Sequence, residues 1–155
     1  MNTETIDDLE IPSLCNCTKI RRAARYITRY YDSCLAPIGL KTTQYTLIAF
    51  LKHRGPMPML QLAQLMAIDR ATIAQNLRLL ERDGLVKITV GETDRRSRII
   101  SITEAGLQRI AEGRPNWDRA QAEFEKFYGG SEALLMRGMM DKVLECDLGP
   151  LDGPL

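Results

Sequence analysis

The chain has 155 residues, enough for one domain with a substantial core, so neither disulfides nor a metal is required for folding. Hydrophobic residues make up 45% and charged residues 26%, which excludes a disordered or collagen-like chain. No apolar run approaches the ~18 residues of a membrane span.

The net charge of +1 points by itself to no polyanionic partner, but the charges are unevenly placed. Residues 1–12 carry four acids and no base, and residues 19–29 carry five bases (Lys19, Arg21, Arg22, Arg25 and Arg29) and no acid. Residues 70–98 hold six arginines and one lysine against four acids. Such a local basic surface can bind a polyanion while the remainder offsets its charge. The acidic N-terminus lacks the pattern of a secretion signal, so a cytoplasmic location with reduced thiols is expected for Cys15, Cys17, Cys34 and Cys146.

In chain order, residues 1–12 read as a flexible arm ending at Pro12. Ser13 opens a helical pattern, with Leu14, Ile20, Ala23, Ala24, Ile27, Tyr30, Tyr31 and Cys34 on a period near 3.6, and Pro37 and Gly39 end it. A second helix is expected over Thr43–His53, then an extended Met57-Pro58-Met59 and a short helix over Leu60–Met66. Asp69 is a good N-cap for a helix over Arg70–Asp83 that is stopped by Gly84, a rod of about 21 Å. Residues 86–90 and 98–102 alternate with period two around a polar seven-residue tip, which predicts a β-hairpin. Thr103 caps a long helix to about Tyr128, which Pro115 kinks or divides. Gly129-Gly130 breaks it, Ser131 caps a last helix to about Glu145, and residues 148–155 form a loose tail. The expected fold class is mainly α with a small β-hairpin wing: a winged helix-turn-helix domain plus a helical dimerisation region.

The stretch from 60 to 102 carries the functional signal. Wheel arithmetic at 100° per residue puts Ile73, Leu77 and Leu80 on one side of the 70–83 helix, facing the core. Ala71, Gln75, Arg78 and Arg82 lie opposite, flanked by Thr72 and Ala74. A face of small and hydrogen-bonding residues suits the major groove, about 12 Å wide. Gln75 and Arg78 can reach base edges, while Arg70 and Thr72 in the first turn suit phosphate at a helix N-terminus. Arg95, Arg96 and Arg98 on the hairpin tip suit the minor groove, with Asp94 pairing one of those arginines to fix its direction. Each feature taken alone reads first as a solvated surface; their order and spacing together carry the inference.

Certain runs resemble the MarR family of winged helix-turn-helix transcription regulators. They are Leu62-Ala63, Asp69–Glu81, Arg82-Asp83-Gly84-Leu85-Val86, Thr93-Asp94-Arg95-Arg96-Ser97 and Ile102-Thr103-Glu104-Ala105-Gly106, with Leu35-Ala36-Pro37-Ile38-Gly39-Leu40 and Gln44-Tyr45 upstream. The resemblance covers residues 13–146. It implies a homodimer whose first helix (within 13–40) and last helices (104–147) interlock. The winged domains (41–103) would straddle double-stranded operator DNA, with recognition helices ~34 Å apart. It implies a repressor released by a small aromatic or phenolic effector, such as an aromatic acid or its thioester. Candidates for that pocket are Arg22 and Arg25 for a carboxylate and Tyr26, Tyr45 and Trp117 for aromatic walls; each reads also as a core or interface residue.

The peroxide-sensing branch of the family carries a reactive cysteine where Cys17 stands. Tyr31 matches one of its three tyrosines, while Arg21 and Thr42 occupy the other two positions. The simpler reading of Cys17, and the one the residues favour, is a small apolar residue at a helix start. Neither a cofactor nor a metal is expected: Cys15-x-Cys17 lacks metal-ligand spacing, and His53 is the one histidine. An enzyme would have only Cys17 as nucleophile and His53 as base, so a regulator without catalytic residues is the expectation.

Overall fold

A computed structural model describes residues 14–148. The arm expected over 1–12, Ser13, and the tail after residue 148 lie outside these described residues. Six helices and three short strands follow in the order α1 (Asn16–Leu35), α2 (Thr42–Arg54), β1 (Met57–Pro58), α3 (Met59–Met66), α4 (Arg70–Arg82), β2 (Val86–Val90), β3 (Arg98–Ile102), α5 (Glu104–Tyr128) and α6 (Gly130–Leu144). A 3-10 turn over Ala36–Ile38 joins α1 to α2. The mainly helical architecture with a small wing agrees with the sequence expectation.

One core holds the central unit together. Leu47, Ile48 and Leu51 of α2, Leu62 of α3, Ile73, Leu77 and Leu80 of α4, and Ile100 of β3 are all fully or almost fully buried in it. The helical spacing of the α4 residues therefore does what the wheel required. A smaller cluster of Tyr31, Cys34 and Ala120 packs α1 against α5. Long-range hydrogen bonds reinforce that seam, the Tyr30 hydroxyl to Glu123 among them. Tyr31 donates to Gln121 Oε1 (2.7 Å), Asn116 Nδ2 to the Cys34 carbonyl (2.9 Å) and Arg109 Nη1 to the Ile38 carbonyl (3.0 Å).

Several boundaries differ from the sequence reading, each for a physical reason. The first cap among the described residues is Cys15, whose sulfur accepts from Thr18 N at 3.5 Å. Met59 joins α3 rather than the extended segment, and Met57–Pro58 forms a third strand on β3, with Met57 opposite Ile100. The sheet order is β1-β3-β2, so the wing is a hairpin with an added edge strand. Pro115 does not divide α5, which runs unbroken from Glu104 to Tyr128. The proline sits on the exposed side, while Ile110 and Gly113 before it and Ala120 after it are buried and hold both halves in line. Ser131 does not cap α6, which begins at Gly130 with no side-chain cap. Gly129, at φ 105°, donates to the Glu125 carbonyl and accepts from Ala133 N, so it closes one helix and opens the next.

Candidate nucleic-acid interface

The turn between α3 and α4 is tight. Ala67 adopts the left-handed region (φ 50°, ψ 43°), and its N–H donates to the Gln64 carbonyl while Ile68 N donates to the Ala63 carbonyl. Asp69 then caps α4 in full: its carboxylate accepts from Thr72 N at 2.8 Å and from the Thr72 hydroxyl at 2.6 Å. Those two bonds, the hydroxyl first, hold the Asp69 pKa below its usual value. Because the Thr72 hydroxyl proton is committed to Asp69, that side chain does not offer a donor to phosphate in this state.

With Ile73, Leu77 and Leu80 inward, α4 leaves Arg70, Ala71, Thr72, Gln75, Arg78 and Arg82 exposed along its outer face. Ala74 and Asn76 flank it, half-buried. Arg78 Nε rests on the Ala74 carbonyl at 3.3 Å, and Arg82 pairs with Asp83 at 3.0 Å. Both arginines keep further guanidinium donors for a partner.

The wing tip is preorganised. Gly91 N donates to the Ser97 carbonyl and Ser97 N to the Asp94 carbonyl, both at 3.0 Å. A side chain at Gly91 would meet the Asp94 carbonyl oxygen at 2.7 Å, so the closeness of the turn demands glycine. Asp94 does fix the tip, but its carboxylate accepts from the backbone N–H of Arg96 at 2.9 Å rather than from a guanidinium. Arg98 Nη1 reaches the Arg95 carbonyl at 3.2 Å. Arg95 and Arg96 are exposed, and neither side chain shares in the tip's hydrogen bonds. The wing and α4 face each other across a cleft of about 530 Å³, which brings Arg70 of the helix together with Arg96 and Arg98 of the wing.

Two residues outside the expected contact set lock this geometry. Glu81 Oε1 accepts from Ile88 N at 3.1 Å, pinning the outer edge of β2 to α4. The Thr103 hydroxyl donates to the Gly84 carbonyl at 2.6 Å and accepts from Gly106 N at 3.1 Å, so one residue caps α5 and ties it to the turn after α4. Both lie inside the runs that carry the family resemblance; that was the one signal for Glu81, whereas the capping role of Thr103 was also legible from its place before a helical run.

The effector candidates are spread over separate recesses within one chain. Tyr45 and Trp117 line a recess of about 270 Å³ together with Lys52, His53 and Arg114. Burial raises the Tyr45 pKa above the usual tyrosine value, and Asp118 at 2.7 Å raises that of Arg114. Arg25 borders a different recess with Arg29, Tyr26 borders another with Phe127, and Arg22 is exposed on α1. Cys17 is exposed in the first turn of α1, beside the cap residue Cys15. The Thr18 hydrogen bonds lower the Cys15 pKa. Among the described residues, no group of three or more His, Cys, Asp or Glu stands together as a metal site, and no helix is long and apolar enough to cross a membrane.

A helix held over a tight turn, with an arginine-bearing three-stranded wing beside it, defines a winged helix-turn-helix protein. The comparisons agree. The profile of the MarR family matches residues 38–97. The transcriptional regulator MosR of M. tuberculosis, solved in complex with DNA, superposes with a TM-score of 0.76 at 31% identity, covering 84% of this chain and 94% of MosR. YwaE, an HTH-type transcriptional regulator of Bacillus subtilis, is 23% identical over 141 residues, 90% of this chain and 82% of that protein. PcaV of Streptomyces coelicolor, solved with its natural ligand, has the same fold, with a TM-score of 0.77 at 17% identity over 89% of this chain and 97% of PcaV. The chain belongs to the MarR family of winged helix-turn-helix, DNA-binding transcription regulators, which are not enzymes.

Proposed function

We propose that this chain works as a homodimeric repressor that grips a pseudo-palindromic operator and releases it on binding a small effector. The observation that carries the DNA half is the cleft joining Arg70, Arg96 and Arg98 beside the exposed face of α4. In this reading Gln75 and Arg78 touch base edges and Ala71 permits close approach. Arg70, Arg82 and the α4 N-terminus hold phosphate, and Arg95, Arg96 and Arg98 enter the minor groove with Asp94 setting the tip. Thr72 joins the phosphate contacts only if its hydroxyl turns away from Asp69.

Apolar side chains that a single chain leaves in water support the dimer. On α6, Leu134 and Leu135 are each 64% exposed and Leu144 is 70% exposed; just before α1, Leu14 is 52% exposed. Phe127 at the end of α5 is 86% exposed. A second copy would bury these faces and set the two α4 helices on successive turns of the duplex. Residues 13–40 and 104–147 then serve dimerisation, and residues 41–103 serve DNA.

The effector half rests on a small aromatic or phenolic ligand held near Tyr45 and Trp117, with Arg22, Arg25 and Tyr26 brought in as the dimer forms. MosR bound to DNA and PcaV bound to its natural ligand lend this reading precedent on the same fold. A second reading is favoured by the exposure of Cys17 beside the depressed Cys15 thiol: oxidation of Cys17 in place of ligand binding.

Retardation of DNA from the region upstream of the coding sequence, across a salt series, tests the proposal. Steeply salt-dependent, site-specific binding by a dimer is expected. Release by an aromatic acid with indifference to peroxide supports the ligand reading; peroxide release that thiol reverses and Cys17→Ser abolishes supports the other. A monomer without affinity for the duplex refutes both.

A further inference from the structure

Helix α1 carries an uncompensated band of positive charge. Lys19, Arg21, Arg22, Arg25 and Arg29 are all exposed. Arg21, Arg25 and Arg29 form one row, each four residues from the next, and Arg22 stands beside it. The band looks away from Ile27, Tyr31 and Cys34, which pack α1 onto α5. Among the described residues no ion pair involves any of these five side chains; the ion pairs belong to Arg82, Arg109, Arg114 and Arg137. The single acid of α1, Asp32, is committed to the backbone N–H of Thr42 at 2.7 Å.

Such a band is unfavourable in two ways. Like charges four residues apart on a helix repel each other. The positive end of the helix dipole also meets Lys19 in a first turn that holds no acid. The cap there is the weakly accepting sulfur of Cys15, 3.5 Å from Thr18 N. An anionic cover relieves both.

The sequence places such a cover next to the band. The segment before α1 carries Glu4, Asp7, Asp8 and Glu10, and no lysine or arginine precedes Lys19. Its coordinates lie outside the described residues, but chain geometry sets its reach. An extended chain advances about 3.3 Å per residue and a helix about 1.5 Å. A segment that turned back at Pro12-Ser13 and ran extended beside α1 would bring Glu10 level with Lys19. Asp8 and Asp7 would then stand level with Arg22 and Arg25, and Glu4 within side-chain reach of Arg29. Glu4, Asp8 and Glu10 share one side of such a strand. The short joint keeps the local concentration of these carboxylates high, which favours them over Glu132 and Asp141 on α6 of a second copy.

We infer that the acidic segment from Glu4 to Glu10 docks on the basic band of its own α1, pairing with Arg22, Arg25 and Arg29. The docked segment keeps these arginines off DNA, whose phosphates then meet the arginines of α4 and the wing. An effector carboxylate at Arg22 or Arg25 would have to displace it. Docking needs neither effector nor operator, so it stands apart from the repressor reading.

The test is zero-length carbodiimide cross-linking of the full chain, which joins a carboxylate to an amine only in direct contact. Arg29→Lys keeps the charge and supplies an amine far from Glu4 in sequence. Isotope-labelled and unlabelled chains are refolded together in equal amounts, and linked peptides are read by mass spectrometry. A link from Glu4 to the introduced amine, within chains of one label, is expected. It should weaken about 5-fold in about 1 M salt, where the screening length is about 3 Å. Asp7→Asn, Asp8→Asn and Glu10→Gln together should weaken it by a similar factor, and should lower the melting temperature at low salt only. The same triple variant should hold non-operator duplex about 5-fold more tightly at low salt, and Arg21→Gln with Arg29→Gln should undo that gain. Absence of the Glu4 link, or a link indifferent to salt and to the triple variant, overturns the docking. A link between differently labelled chains, or from the introduced amine to Glu132 or Asp141, gives the band to a second copy and overturns it too. A gain in duplex binding that survives both arginine changes removes the shielding of α1 from DNA.

Discussion

Replacing Gly106 with alanine tests how the wing is fixed to the rest of the molecule. An ideal Cβ at Gly106 falls 2.2 Å from the Leu85 carbonyl oxygen and 2.8 Å from Ile102 Cγ1. Ordinary carbon–oxygen contact begins near 3.3 Å, so α5 must retreat by about 1 Å. Three bonds resist that retreat: Gly106 N to Thr103 Oγ1, Thr103 Oγ1 to the Gly84 carbonyl, and Thr103 N to the Leu85 carbonyl. Overpacking against backbone costs about 1–3 kcal/mol, and straining one of the bonds adds about 1 kcal/mol. The better helix propensity of alanine offsets about 1 kcal/mol. The net expectation is a loss of about 1–3 kcal/mol, or roughly 2–12 °C in Tm for a chain of this size. Gly113→Ala is the control. Its Cβ meets the tips of Ile38 and Tyr45 rather than backbone, so its net cost should be about 1 kcal/mol. Urea unfolding of both variants, followed by circular dichroism at one fixed protein concentration, gives the comparison. A Gly106→Ala protein as stable as wild type, or more stable than Gly113→Ala, would refute the close approach of α5 to Leu85.

Other outcomes follow from the same geometry. Arg78→Ala should weaken operator binding by about 1–3 kcal/mol and relax preference at one base pair; a uniform loss across all sequences would make Arg78 a phosphate contact. Arg96→Ala should lower the salt slope of binding by about one, read from retardation across a salt series, and an unchanged slope would take the wing tip off the duplex. Because the folded pKa of Asp69 is depressed, its cap contributes fully above the unfolded pKa, about 3.9, and is lost as pH falls through the lower folded value. Thermal melts of wild type and Asp69→Asn, which also caps, should therefore diverge in wild type's favour above about pH 4 and converge below it; a pH-independent difference would show that the carboxylate charge is irrelevant.

Much of the interface was legible because it is local. Asp69 at the helix start, the spacing of Ile73, Leu77 and Leu80, and the stop at Gly84 fix which side of α4 faces out, and none of these needs a residue more than a few turns away. The alternation around the seven-residue tip fixes the wing in the same way. What the sequence left open depends on distant partners. The pairing of Tyr31 with Gln121 spans 90 positions and that of Asn116 with Cys34 spans 82. Packing on both sides carries α5 past Pro115, and Gly129 takes the role expected of Ser131. Only the assembled helices show that Tyr45 and Trp117 share a recess without Arg25 or Tyr26. Period and capping are properties of a few neighbouring residues, whereas a cavity is the space left between elements that meet only after folding.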